Sequence, residues 1–321
     1  MHEFPDIIKL FTKTSNNLRN GIISLRTPLE EMVLKASGNE LAYVDNRRDA
    51  KQNYGYDFWG TLDRDWLKNQ GIEARILYSE SAQFPDFLFK VREQQGKLFC
   101  GSLLELKDSK GGSIASFNST LPTKHKSLEE IDVINGNKLV SRVAHVLDGK
   151  LAYSQDYYTS QRQSLYLIRT HKDDHQRVRV SIVDGSFFET IPNEHLIYQM
   201  FLNILQSHLE KKELKIAPET LKQVEDALSH ITNHTIISAS QLIEKASIKP
   251  RLRIMAEVHP EGNPHSSFYP QISEGSLTLI LQASSYTKEL ERQLHREIPY
   301  IGIFPIYHKR NGEHIVFQFK P

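Results

Sequence analysis

From Phe84 onward the apolar residues leave helical spacing and fall into short runs of strand length, with helical stripes returning between those runs. A chain that alternates the two periods in this way is predicted to be α/β. Before that point the first 80 residues read as mainly helical. Thr27-Pro28-Leu29-Glu30 offers a capping-box acceptor, a proline at the first helical position and a carboxylate three residues on. Leu29, Met32, Val33 and Ala36 then form one stripe, which predicts a helix ending near Gly38. The aromatic-rich segment from Asn53 to Trp66 reads as core packing.

Phe87-Leu88-Phe89-Lys90-Val91 and Leu98 to Lys107 are separated only by Gln94-Gln95-Gly96-Lys97, so they are expected as antiparallel neighbours. A polar stretch from Asp108 to Lys126 follows, and Ser127-Leu128-Glu129-Glu130 is a second capping box. Leu139, Val140, Val143, Val146 and Leu147 carry a helical stripe up to Gly149. Leu165 to Arg169 and Val178 to Val183 read as strands, and the stripe from Leu196 to Leu209 as a longer helix. The composition turns charged near Lys211 to Pro218, which divides the chain into regions 1–213 and 214–321. In the second region helices are expected at about 219–230, 239–246 and 286–296, with strands at 251–258 and 276–283. A final hairpin turns at Arg310-Asn311-Gly312, and Pro305 marks its first arm as an edge strand.

Composition narrows the chemistry. With 39% hydrophobic residues in 321, the chain can bury a substantial core. No run approaches the roughly 18–20 apolar residues of a membrane span, and the first residues carry neither a basic nor an apolar leader. A cytoplasmic protein without a membrane partner is therefore expected. Cys100 is the only cysteine, so cysteine-rich zinc sites are excluded and any metal must use oxygen or imidazole ligands. The formal charge of +1 argues neither for nor against a nucleic-acid partner, since a basic cleft can be balanced elsewhere.

The informative segment is Pro85-Asp86, followed after 18 residues by Glu105-Leu106-Lys107. On a strand Glu105 and Lys107 share one face while Leu104 and Leu106 share the other. Asp86, delivered from the paired strand, brings a second carboxylate to the first. Two carboxylates with no histidine or thiol nearby make a hard-oxygen site, suited to Mg²⁺ that shares its coordination shell with substrate phosphates. Lys107 then supplies a cation beside the attacking water.

This arrangement resembles the PD-(D/E)XK nuclease superfamily, and within it the type II restriction endonucleases. The resemblance covers roughly residues 80–205 and extends to Ile114-Ala115-Ser116-Phe117-Asn118-Ser119-Thr120-Leu121-Pro122 and to Val183-Asp184-Gly185-Ser186-Phe187-Phe188-Glu189-Thr190. It implies an α/β/α core with a mixed sheet in residues 1–213, preceded by a helical region, and leaves 214–321 as an α+β extension for DNA contact or dimerisation. It also implies Asp86 and Glu105 as Mg²⁺ ligands, the Leu106 carbonyl completing the shell, Lys107 orienting or activating water, and a 5′-phosphate product. Such enzymes often add an acid from the preceding helix, for which Glu30, Glu31 and Glu40 all qualify.

Ser109, Lys110, Asn118, Ser119, Thr120 and Lys124 follow the catalytic strand, where double-stranded DNA must pass. Lys110 and Lys124 suit phosphates, whereas Asn118, Ser119 and Thr120 suit phosphates or base edges. Gln155, Gln161, Arg162 and Gln163 form a second polar cluster, either groove-entering or an ordinary surface loop. A palindromic site presents two equivalent phosphates, so a homodimer is the simplest assembly. A repair or recombination nuclease on the same core, or a DNA-binding module without catalysis, are the competing readings.

Overall fold

The computed structural model describes residues 5–46, 75–79, 84–109, 114, 116–118, 125–135, 139–171, 178–188, 193–230, 255–257 and 260–321. Helices α1 (Pro5–Arg19) and α2 (Leu29–Ser37) come first, then strands β1 (Leu41–Asn46), β2 (Arg75–Ser79), β3 (Phe87–Phe89), β4 (Arg92–Gln94), β5 (Lys97–Phe99) and β6 (Leu103–Ser109). Short strands β7 (Ser116–Asn118) and β8 (His125–Lys126) lead to α3 (Leu128–Asn135) and α4 (Leu139–Val143). The central strands β9 (Arg162–Thr170) and β10 (Arg179–Asp184) precede α5 (Asn193–Lys211) and α6 (Pro218–Ser229). The chain closes with β11 (Met255–Glu257), β12 (Ser276–Gln282), α7 (Lys288–Glu297), β13 (Gly302–His308) and β14 (Gly312–Phe319).

One large mixed sheet runs in the order β13-β14-β12-β10-β9-β6-β3-β1-β2, with β8 added against β9. The pairs β1–β2, β6–β9 and β10–β12 are parallel and the other pairs in this order are antiparallel. Alternation along the strands sends side chains to both faces of the sheet, where the described residues form three buried clusters. On one face Leu104, Leu165, Leu167, Leu279 and Phe317 pack with Phe11 of α1, Met32 and Val33 of α2, and Leu290 and Leu294 of α7. On the other, Ala42, Leu88 and Leu103 pack with Leu128 and Ile131 of α3 and Leu139 and Val143 of α4. Each such Leu, Val or Phe contributes about 1.5–3 kcal/mol when fully buried, so helices on both faces are what hold this sheet. The class is therefore α/β, as the alternating periods predict.

Local expectations met different fates. Ser127 and Glu130 form the reciprocal capping box: the Glu130 N–H donates to Ser127 Oγ at 3.1 Å and the Ser127 N–H to Glu130 Oε2 at 2.6 Å. The one at Thr27 does not form. Thr27 Oγ1 instead accepts from the Ser24 N–H at 2.9 Å, and Pro28 caps α2 with no side-chain bond, because the preceding turn takes the hydroxyl first. The 84–107 segment splits in two: β4 and β5 form a small hairpin whose turn residues Gln95 and Gly96 both have positive φ, whereas β3 itself pairs antiparallel with β6. The polar stretch after β6 is not all loop, since it contributes β7, paired with β11, and β8. The C-terminal hairpin and the edge position of the Pro305 strand are as expected. The segment at 53–66 and the helix at 239–246 lie outside the described residues.

The boundary at 213/214 is a correction. The chain divides into a unit of residues 1–188 with 255–321, and a second unit of residues 189–254. The reason is pairing: β12 lies parallel to β10, with Leu279 opposite Ile182, so the C-terminal strands complete the central sheet. In the second unit α5 and α6 pack on each other, and Glu213 ends the turn after α5 with a positive φ. No helix among the described residues is long and apolar enough to cross a membrane.

Candidate active site

The site is built where β3 and β6 run antiparallel. Phe87 is opposite Leu104 and Leu88 opposite Leu103, so Asp86, one residue before β3, falls beside Glu105. The two acidic residues are cross-linked through backbone. Asp86 Oδ2 accepts from the Leu106 N–H at 2.7 Å, and the Glu105 carboxylate accepts from the Asp86 N–H. The Asp86 carbonyl in turn accepts from the Val44 N–H at 2.7 Å, fastening the residue to β1. Glu105 and Lys107 lie on the sheet face of Leu103, and Leu104 and Leu106 pack into the opposite core.

Electrostatics set this cluster apart from an exposed salt bridge. Burial, and then the neighbouring Asp86 charge, hold the Glu105 carboxyl well above the usual carboxylate range, with Lys107 and the Asp86 N–H pulling the other way. Glu105 Oε2 is buried and makes no hydrogen bond. Glu30, in the first turn of α2, is a further carboxylate that feels the Asp86 charge. Its pKa is pushed up to about 9, first by burial, with the charges of Asp86 and Asp108 adding to the rise and its own N–H and Arg169 opposing it. Of the three helix acids, Glu30 is thus the one within electrostatic reach of Asp86. Glu31 pairs with Lys35 at 3.0 Å, and Glu40 is ion-paired to Lys9.

A hard divalent cation suits these residues. The donors are carboxylate oxygens, one of them buried without a partner, and two of the carboxyls are held toward their neutral forms, first by burial and then by neighbouring carboxylate charge. Among the described residues no three His, Cys, Asp or Glu side chains are grouped so as to hold a metal ion, so the protein would supply two carboxylates at most. Magnesium accepts that arrangement, since it is commonly held by one or two carboxylates with water and substrate oxygens filling the octahedron.

The expected DNA-contact residues are placed only in part. Ser109 ends β6, half-buried, and its carbonyl accepts from the His171 N–H at 3.1 Å. Asn118 ends β7 opposite Met255 of β11. Lys110, Ser119, Thr120 and Lys124 lie outside the described residues. Within the second polar cluster, the surface reading fails for Arg162 and Gln163. Arg162 is fully buried beneath the Tyr157 ring, and Gln163 is buried with its amide donating to Asp184. Both are strand residues of β9 that face the interior. The residue that sequence reading missed is Arg169, which the β6–β9 register sets beside Asp108 and the packing of α2 sets beside the Thr27 carbonyl.

Compared with protein-family models, with curated proteins and with solved structures, the chain matches none.

Proposed function

We propose that the protein is a Mg²⁺-dependent, site-specific double-stranded DNA endonuclease of the PD-(D/E)XK class, acting as a type II restriction enzyme. The observation that carries this reading is the Asp86–Glu105 pair, locked across β3 and β6 by reciprocal backbone bonds with Lys107 on the same strand face. A salt-bridged surface hairpin has no reason to bury a carboxylate oxygen without a partner. Helices on both faces of a mixed sheet also agree with the core this class uses.

In this reading Asp86, Glu105 and the Leu106 carbonyl hold the cation, and Glu30 stands by as a further acid. Mg²⁺, when bound, lowers the pKa of water and offsets charge on the scissile phosphate. Lys107 steadies the attacking hydroxide by its positive charge, and the Leu106 N–H keeps Asp86 from rotating away. Attack on phosphorus in line with the leaving 3′-oxygen breaks the P–O3′ bond and leaves a 5′-phosphate. Cutting both strands of a palindrome is met by a twofold homodimer with one site per chain.

Plasmid digestion with purified protein in Mg²⁺ tests the proposal, with run-off sequencing of the ends. Discrete fragments with 5′-phosphates are expected. Asp86→Ala, Glu105→Ala and Lys107→Ala should each lower the cleavage rate by about 10²–10³-fold or more, the scale of losing one transition-state electrostatic contact, while DNA binding in Ca²⁺ persists. Wild-type cleavage by Glu105→Ala overturns the site. Nicking governed by DNA structure would instead support the repair nuclease, and binding that Mg²⁺ never converts to cleavage the non-catalytic module.

A further inference from the structure

Both histidines of the C-terminal hairpin are fully buried, His308 at the end of β13 and His314 early in β14. Hydrogen bonds fix where each imidazole carries its proton. His308 Nδ1 accepts from the Arg310 N–H at 3.1 Å and from the Asn311 N–H at 3.0 Å, so it holds a lone pair and the proton sits on Nε2. His314 Nδ1 lies 3.1 Å from the Gly312 carbonyl oxygen, which can only accept, so this ring carries its proton on Nδ1. Its other nitrogen, Nε2, is buried without a hydrogen-bond partner. The two rings stand 6.3 Å apart, and both meet Phe187 close to edge-on, at 5.2 and 5.1 Å. Asn311, at the tip, donates from Nδ2 to the Phe187 carbonyl at 3.0 Å. The hairpin tip is thus docked on the Gly185–Phe187 turn that follows β10.

Neither ring takes a second proton without breaking this arrangement. On His308 the proton would land on Nδ1, the atom that closes the tip with two backbone bonds. On His314 it would put a charge and an unmatched donor on Nε2, beside the Phe187 ring. Asp184 on β10 is the neighbour whose charge favours that proton, and its carboxylate already accepts from the Ser186 N–H and hydroxyl and from the Gln163 amide. His308 faces His314 from β13 and the neutral Gln282 pairs with it from β12, while Lys309, Arg310 and Glu313 of the tip are exposed. Burial outweighs Asp184 and holds the His314 pKa below its ordinary 6.5. We propose that the hairpin tip is an acid-released latch: docked on Phe187 while both imidazoles are neutral, it lets go when a proton enters either ring. Release frees Phe187, which packs on Phe188 and through it on Tyr166, the residue that the β6–β9 register sets opposite Glu105.

The closed tip binds fewer protons than the open one, so opening sets in as pH falls through 6.5 and grows about tenfold per pH unit for each proton taken up. Glu30 and Glu105, raised rather than lowered, act with the opposite sign on the fold, so the readout must be local. Hydrogen exchange of the full chain from pH 7.5 to 5.5, each rate divided by its intrinsic chemical rate, supplies it. Protection across 308–314 should fall about tenfold or more between pH 6.5 and 5.5, while β10 and β12 keep theirs. In the double variant His308→Asn with His314→Asn, an amide oxygen can replace the His308 acceptor and an amide nitrogen the His314 donor, and neither titrates. Its protection should not depend on pH. Asn311→Ala should lower protection of the tip at every pH. Should the double variant not fold, ¹⁵N NMR of the wild-type imidazoles decides, because Nδ1 of His308 or Nε2 of His314 must gain a proton in step with the exchange. Flat wild-type protection, a slope retained in the double variant, or ring titration without faster exchange overturns the latch. Equal losses in β10 and β12 would mean acid unfolding of the sheet and overturn it too, and unchanged exchange in Asn311→Ala overturns the docking on Phe187.

Discussion

Glu30 shows how one side chain can set the pH response of the whole protein. Its ordinary pKa is 4.5, and in the fold it is pushed up to about 9, mainly by burial. Across that interval the folded state binds a proton that the unfolded chain has released, so stability falls as pH rises through it. Glu105, raised in the same direction, steepens the slope. In ion-free buffer the unfolding temperature should therefore drop between pH 5 and pH 8.5. Glu30→Gln should flatten that drop, melting a few degrees above wild type at pH 8 and close to it at pH 5, as differential scanning fluorimetry will show. Equal pH slopes for the two proteins would mean that Glu30 is more solvated than its position indicates.

At the level of elements, the candidate strand β6 is fixed at its entry by contacts that leave no room. A Cβ on Gly101 would lie 2.0 Å from the Phe89 carbonyl oxygen, so the backbone of β3 passes where any side chain would go. Next to it, the Ser102 N–H and Oγ both donate to Asp6 Oδ2, at 2.9 and 3.0 Å, tying the strand to α1. Arg92 completes the grip on Asp6. Gly101→Ala must push β3 and β6 apart, and since backbone cannot yield as a flexible side chain does, a loss of about 3 kcal/mol or more in urea unfolding is expected. Ser127→Ala, which removes only the cap of α3, should cost about 0.5–2 kcal/mol in the same assay. If the two losses come out equal, the close approach at Gly101 is not the constraint described.

At the scale of the whole molecule the proposed twofold assembly makes its own prediction. The terminal strand β13 carries Pro305, exposed, with no N–H to offer a neighbouring chain. Sheet extension across that edge is thereby discouraged, and the proposed dimer is expected to use another surface. Light scattering should give about twice the 37.0 kDa chain mass, and plasmid should pass to linear form without accumulating nicked circles. A monomer that nicks one strand would overturn the twofold assembly.

The sequence alone carried what depends on neighbours along the chain. Period-2 and period-3.6 runs, the Ser127 cap, the Arg310-Asn311-Gly312 turn and the ExK spacing are all local, and they sufficed for the α/β class and for proposing Asp86, Glu105 and Lys107 together. Pairing between distant strands decided the rest. Nothing near Lys211 to Pro218 tells that β12 lies along β10, so the charged stretch passed for a boundary inside what is one sheet. Arg162 and Gln163 passed for surface residues because polarity was visible and burial was not. Glu30 could not be separated from Glu31 and Glu40 by spacing, since only the packing of α2 on β6 and β9 brings one of them toward Asp86. Asp108 and Arg169, 61 residues apart, meet by register alone, and register is a property of the folded sheet, where the free energy of two buried faces chooses the pairing.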